Sequence, residues 1–248
     1  MSDIYKAPES ELTNREENSD FGSIEKGIAG DYSFSIGEAI SEGWQLSKGK
    51  KRTVWLGMLL YMIAATAISF IIALITGYPV FDFEGTTEVS LATSTIYNVL
   101  VTFVEMPLAA GLMMIGIKIA RGSETSGTEV FAHFDKIIPL IITNIIMGIL
   151  ILIGLFLLVI PGIYLMVAYM FAIPLIVDQN LGPWQALETS RKAITKNWFS
   201  FFGFTIATIL ILLAGFLALL IGAIWTLPLF FIAIGVAYRK VFGAPQGA

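Results

Sequence analysis

The chain has 248 residues, of which 56% are hydrophobic and only 14% charged, where a soluble domain carries about 25% charged residues. It has no cysteine and a single histidine, His133, which excludes disulfides, cysteine nucleophiles and any zinc or iron site built from several imidazoles. The net charge of −4 is unevenly placed, because residues 1–32 hold a net −5 and the remainder about +1.

Residues 1–32 are polar, acidic and unpatterned, with too few apolar side chains to offset the entropy of ordering, so a disordered tail is predicted. No apolar core of a cleavable signal peptide is present, and the first span is expected to act as the targeting signal. Residues 33–52 open on Ser35 and Glu38 in capping-box spacing. Ile36, Ile40 and Trp44 then recur every four residues, which predicts a short amphipathic helix in the membrane interface. That stretch ends in the basic cluster Lys48, Lys50, Lys51 and Arg52.

Crossing a hydrocarbon core of ~30 Å takes about 20 apolar residues. Spans are predicted at about 53–76 and 95–120, separated by a polar segment containing Asp82, Glu84 and Glu88. A polar stretch follows in which Val130, Phe131, Phe134 and Ile137 or Ile138 repeat at helical spacing. From Ile137 to Val177 there is no charged residue. That run suffices for two spans, 137–160 and 163–178, with Pro161-Gly162 as the turn between them. Residues 180–197 read as a second amphipathic helix. Pro183 is in its first turn, Trp184, Leu187, Ile194 and Trp198 are on one side, and Arg191, Lys192 and Lys196 are on the other. Two last spans are expected at 199–221 and 223–238, turning near Gly222, before a short tail at 243–248.

All fifteen lysines and arginines fall in the N-terminal tail or in loops on one predicted side. The positive-inside rule then places both termini in the cytoplasm, as six crossings require. The fold class is therefore all-α, a polytopic membrane protein with six transmembrane helices in three hairpins and interfacial amphipathic helices. A unit of amphipathic stretch plus hairpin recurs three times, from near Ser33, Gly127 and Gly182. Each returning helix carries a Pro-Leu pair at Pro107, Pro174 or Pro228. Internal repeats are common in membrane folds, although any six-span protein with prolines in its helices has some of this pattern. Proline inside a span frees a backbone carbonyl and kinks the helix.

Glu105 is the sharpest chemical feature, since an ionised carboxylate in hydrocarbon costs several kcal/mol and intramembrane acids are functional suspects. Asn98 and Thr102 precede it by seven and three residues on the same helical face, and Asn144 with Thr143 in the third span offers further polar groups. This set suits a cation site, a proton relay or a helix-helix contact. The competing structural account is a protonated Glu105 bonded to a carbonyl freed by Pro107. Asp178 is expected at the membrane boundary, in reach of Arg191 or Lys192. Lys50, Lys51, Arg52, Arg191, Lys192 and Lys196 are candidate contacts for anionic lipid head groups. No hydrolase, metalloprotease or nucleotide-binding motif is found, and no basic domain supports nucleic-acid binding. No cofactor or metal is expected. A homo-oligomer or a membrane-protein partner stays open.

The run LLVIPGIYLMVAYMFAIPLIVDQNLGPWQALETSRKAITKNW, Leu157 to Trp198, resembles the uncharacterised YciC-like family of bacterial inner-membrane proteins. It is also similar to the membrane domain that some bacteria fuse to a glycerophosphodiester phosphodiesterase. The matching positions are Val159 to Gly162, Pro174 to Asp178, Gly182, and Ser190 to Trp198, with a weaker match at Pro107 to Leu112 and Ala120 to Gly122. The resemblance implies a six-span inner-membrane fold and supplies no active-site residues. The phosphodiesterase domain is absent, so that activity does not carry over. Two functions follow as expectations. One is a non-enzymatic protein that organises or senses lipids or scaffolds partner proteins. The other is a small transporter or channel subunit built around Glu105.

Overall fold

A computed structural model of the chain describes residues 21–80, 87–217 and 221–245. Among these the protein is all-α with no strand, and six helical segments are long and apolar enough to cross a membrane. The helices are α1 (Ile24–Ala29), α2 (Ile36–Thr76), α3 (Leu91–Ala120), α4 (Ile137–Leu157), α5 (Val159–Ala168), α6 (Ala172–Gln179), α7 (Pro183–Lys196), α8 (Trp198–Leu217) and α9 (Ala223–Phe242). Asp82 and Glu84 of the predicted polar segment lie outside the described residues.

The first correction concerns α2. The predicted interfacial helix and the first span are one continuous helix of 41 residues, roughly 60 Å long. Ser35 caps its start by accepting from Glu38 N at 3.5 Å, and Gly77, at φ 72°, ends it in the left-handed conformation that glycine adopts freely. Nothing between breaks it, because Lys48, Lys50, Lys51 and Arg52 are all good helix formers. The lower half packs along α9. Lys240 Nζ meets Glu38 at 3.2 Å, Arg239 Nη2 meets Glu42 at 2.6 Å, and Trp55 Nε1 donates to the carbonyl of Ile224 at 3.2 Å. The upper half pairs instead with α3, through Ser69 against Glu105 and a stacked Tyr78–Tyr97 pair at 4.1 Å.

These contacts stagger the helices. α9 starts level with Trp55, whereas α2 continues to Thr76, about 30 Å further. Lys51 lies 5.0 Å from the Trp225 ring. The basic cluster is therefore beside the turn near Gly222, the turn that the charge distribution puts on the opposite face. The reason is the continuity of α2, which carries its cations up alongside α9 instead of leaving them in a surface helix.

The second hairpin also differs from the predicted one. Its break is at Leu158, extended at φ −158° and ψ 135°, and not at Pro161-Gly162. Pro161 occupies the first turn of α5, where a missing N–H costs nothing. Gly162 lets α5 approach the backbone of Gly154 in α4. The returning arm is divided at Tyr169–Phe171 into α5 and α6, so Pro174 opens a helix instead of kinking one. Pro107 and Pro228 do lie inside α3 and α9.

Burial separates the arms of the three hairpins. In the most apolar stretch of each outgoing arm only 11%, 17% and 22% of the residues are buried, against 50%, 50% and 61% in the returning arms. The returning arms thus form the inside and the outgoing arms face outward. Pro107-Leu108, Pro174-Leu175 and Pro228-Leu229 are all buried, and the three leucines belong to one core cluster. The tightest crossing is between α3 and α9, where Gly116 faces the carbonyl of Phe231 and Gly235 faces the carbonyl of Gly116.

Three further expectations are corrected. The helical repeat around Val130 folds as two 3-10 turns, Gly127–Phe131 and Phe134–Lys136, with Val130 buried while Phe131 and Phe134 are exposed. In α7, Leu187 and Ile194 are buried but Trp184 stands exposed, so the predicted apolar side is split. The tail expected to be disordered through residue 32 is described from residue 21 onward, and there it folds. Ser23 caps α1, Gly22 N donates to Arg239 O at 3.1 Å, Tyr32 Oη donates to Ala193 O at 2.8 Å, and Phe34 stacks on Phe201 at 4.2 Å. The few apolar side chains of this segment suffice because α7, α8 and α9 supply a prepared surface for them. Burial pushes the Tyr32 phenol up to about 12, so it stays a donor at any physiological pH. Tyr32→Phe is expected to cost about 1 kcal/mol, and hydrogen exchange of residues 22–32 should quicken while α3 stays protected.

Candidate functional site

Two polar sites are built into this apolar body. The first lies where the returning arms end. Arg121, just past α3, forks onto Asp178 of α6 with Nη1–Oδ1 and Nη2–Oδ2 both at 2.7 Å. The pair is almost sealed, with side chains 7% and 3% exposed. Tyr238 of α9 donates its hydroxyl to Asp178 Oδ2 at 2.8 Å, and Gln179 donates to the same oxygen at 3.0 Å. Arg121 also donates to the carbonyl of Gly243, and Arg239 to the carbonyl that ends α3 at Ala120. With Arg239–Glu42 and Lys240–Glu38, three cations face three carboxylates across four elements. The charges balance and every carboxylate has a cation, so the arrangement resembles a clamp more than a receptor.

This corrects the expected partner of Asp178. Arg191 and Lys192 instead meet Glu188 on their own helix, at 2.7 Å and 3.4 Å, because residues three and four apart share a helix face. The Arg191 fork holds the Glu188 carboxyl below the usual carboxylate range. Two of the six expected head-group contacts are thus already engaged. Lys50, Arg52 and Lys196 are exposed, and Lys51 is half-buried over Trp225.

The second site is Glu105. It is half-buried at the α2–α3 seam and accepts a hydrogen bond from Ser69 Oγ at 3.4 Å. It opens into a groove of about 840 Å³ along α2, lined by Leu59, Met62, Ile63, Thr66 and Phe70. The other members of the expected polar set do not join it. Asn98 and Thr102 are exposed on α3, and the Asn98 amide donates to the carbonyl of Ser94 on its own helix at 2.7 Å. Asn144 is half-buried on α4 with no side-chain hydrogen bond among the described residues, and the hydroxyl of Thr143 is buried without a partner. Helical spacing correctly aligned Asn98, Thr102 and Glu105 on one face, but that face looks outward.

No group of three or more metal-ligating side chains is found among the described residues. Nothing in the sequence marks Ser69, Tyr238, Arg239 or Glu42 as site residues, since their partners lie 36 to 197 positions away. Comparison with known proteins yields no matching family model, no matching curated protein and no matching solved structure.

Proposed function

We propose that this multi-pass membrane protein is non-enzymatic and acts as a scaffold, organising lipids or partner proteins around its outward-facing arms. The observation that carries this reading is that the interior charges are paired with one another while the polar row of α3 lies outside. The returning arms close on one another through Gly116 and Gly235, while Glu105, Asn98 and Thr102 lie at the periphery. A transport path would need the reverse arrangement. The meeting of Gly22 with Arg239 and Gly243 brings the first and last described segments together on one face. With Arg121, Lys196 and Arg239 at that same end, this favours a cytoplasmic orientation in a bacterial inner membrane. The YciC-like resemblance fits the same assignment.

Anionic lipid is the first class of ligand to test. Each surface cation contributes about 1 kcal/mol of attraction to such lipids, so Lys50→Gln, Arg52→Gln and Lys196→Gln together should lower co-purified anionic lipid by more than about tenfold. Equal lipid content in both proteins counts against lipid organisation. The transporter reading rests on the Ser69–Glu105 contact in its groove. It predicts cation- or proton-dependent flux in proteoliposomes that Glu105→Gln abolishes, and no flux in the wild type removes it.

A further inference from the structure

Glu105 lacks what an acid in hydrocarbon requires. Its partner is one hydroxyl, Ser69, at 3.4 Å, whereas a carboxyl out of water needs donors or protonation. The chain has no cation to give it, because residues 53–117, 137–190 and 197–238 contain no lysine, arginine or histidine. On the same face of α3, Thr102 is exposed with no side-chain hydrogen bond among the described residues. Asn98 uses one amide hydrogen on Ser94 and, among the described residues, keeps its other donor and its oxygen unbonded. The row is flanked by the exposed apolar side chains Ile96, Val99 and Leu100. α2 half-buries the Glu105 end of the row through Ser69 and the groove beside it, and Asn98 and Thr102 stay exposed because α9 stops level with Trp55.

We infer that this face of α3 is a self-association surface, and that its occupant is the same face of a second copy of the chain. Amide and hydroxyl are each both donor and acceptor, and a carboxyl oxygen accepts from either. A row of three such groups therefore complements itself, which is what a two-fold contact demands. Lipid tails offer these groups nothing. In a parallel pair around an axis along the membrane normal, Asn98 meets its twin and the hydroxyl of Thr102 reaches the carboxyl of Glu105 in the other copy. Polar side chains of this kind hold membrane helices together. The inference rests on the scaffold reading and specifies one of its partners.

The absence of cysteine makes the test direct. Asn98→Cys and Thr102→Cys are introduced singly in the full chain, with Ile209→Cys on the exposed face of α8 as control, and oxidised in native membranes. A disulfide forms only when Cα atoms come within about 7 Å, so disulfide-linked dimer is expected from Asn98→Cys and Thr102→Cys but not from Ile209→Cys. Adding Glu105→Leu to Thr102→Cys should reduce the dimer roughly tenfold, whereas Glu105→Gln, which keeps donor and acceptor, should largely preserve it. Monodisperse elution of each variant in detergent excludes misfolding as the cause. Absence of cross-linking at both positions, or equal cross-linking at Ile209→Cys, overturns the inference. A monomer that retains lipid or another protein ends self-association alone. A monomer that retains neither ends the scaffold reading with it.

Discussion

Asp178→Ala is expected to be among the most damaging single substitutions in the chain. It removes the carboxylate that two arms of Arg121 and the hydroxyl of Tyr238 share, in a place where both members of the ion pair are nearly inaccessible. Breaking a buried pair from one side leaves an uncompensated charge and costs about 3–5 kcal/mol. For a chain of this size that lowers the unfolding midpoint on the order of 10 °C. The double replacement Arg121→Met with Asp178→Leu should recover most of the loss, because well-packed apolar residues can replace a buried pair without penalty. Thermal melts of the detergent-solubilised proteins, read by monodisperse elution, test both. If the double variant is as unstable as Asp178→Ala, packing and not charge governs this corner.

Gly116→Leu should cost at least about 3 kcal/mol, the upper part of the range for overpacking. Any Cβ at this position runs into the carbonyl of Phe231, and the reciprocal position, Gly235, faces the carbonyl of Gly116. Both obstacles are backbone, so no side-chain rotation relieves the clash and the two helices must part. Gly148 supplies the contrast. It lies inside α4, and a methyl group placed there would have no other atom within 4 Å. Gly148→Ala is therefore expected to stabilise by about 0.5–1 kcal/mol through the lower entropy of the unfolded chain. The same melts rank the three proteins. A neutral Gly116→Leu would mean that the α3–α9 crossing is loose.

Apolar length was a sufficient signal for the existence of every span, because few alternatives exist for so long an apolar stretch even where, as in α3, a single Glu105 interrupts it. Where helices stop was harder to read. Pro161-Gly162 looks like a turn, yet proline is equally at home one step inside a helix, and the actual break at Leu158 carries no local mark. The period of Ile36, Ile40 and Trp44 did not mark the side that meets α9: Ala39, Gly43 and Ser47 are the buried positions there, Gly43 faces Ala233, and Trp44 is exposed. Pairings were illegible for the same reason. Arg121 and Asp178 are 57 positions apart, and Arg191 and Lys192 looked like better partners only because they were nearer in the chain. The spacing of Asn98, Thr102 and Glu105 fixed their common face, while the direction of that face depended on which half of α2 the third hairpin covers.

The offset between α2 and α9 bears on the surrounding bilayer. Exposed apolar side chains run along α2 from Leu56 to Ile75, and a second set runs along α8 from Ile206 to Leu217, in the hairpin that flanks the lower half of α2. A level sheet of oil about 30 Å thick cannot wet both belts with every rod upright. Either α2 leans steeply or the sheet dips and thickens around it. Each ångström of such misfit costs a fraction of a kcal/mol, and neighbouring molecules that share one dimple share its cost. Crowding on an elastic surface would then draw copies of this protein together before any side chain touches.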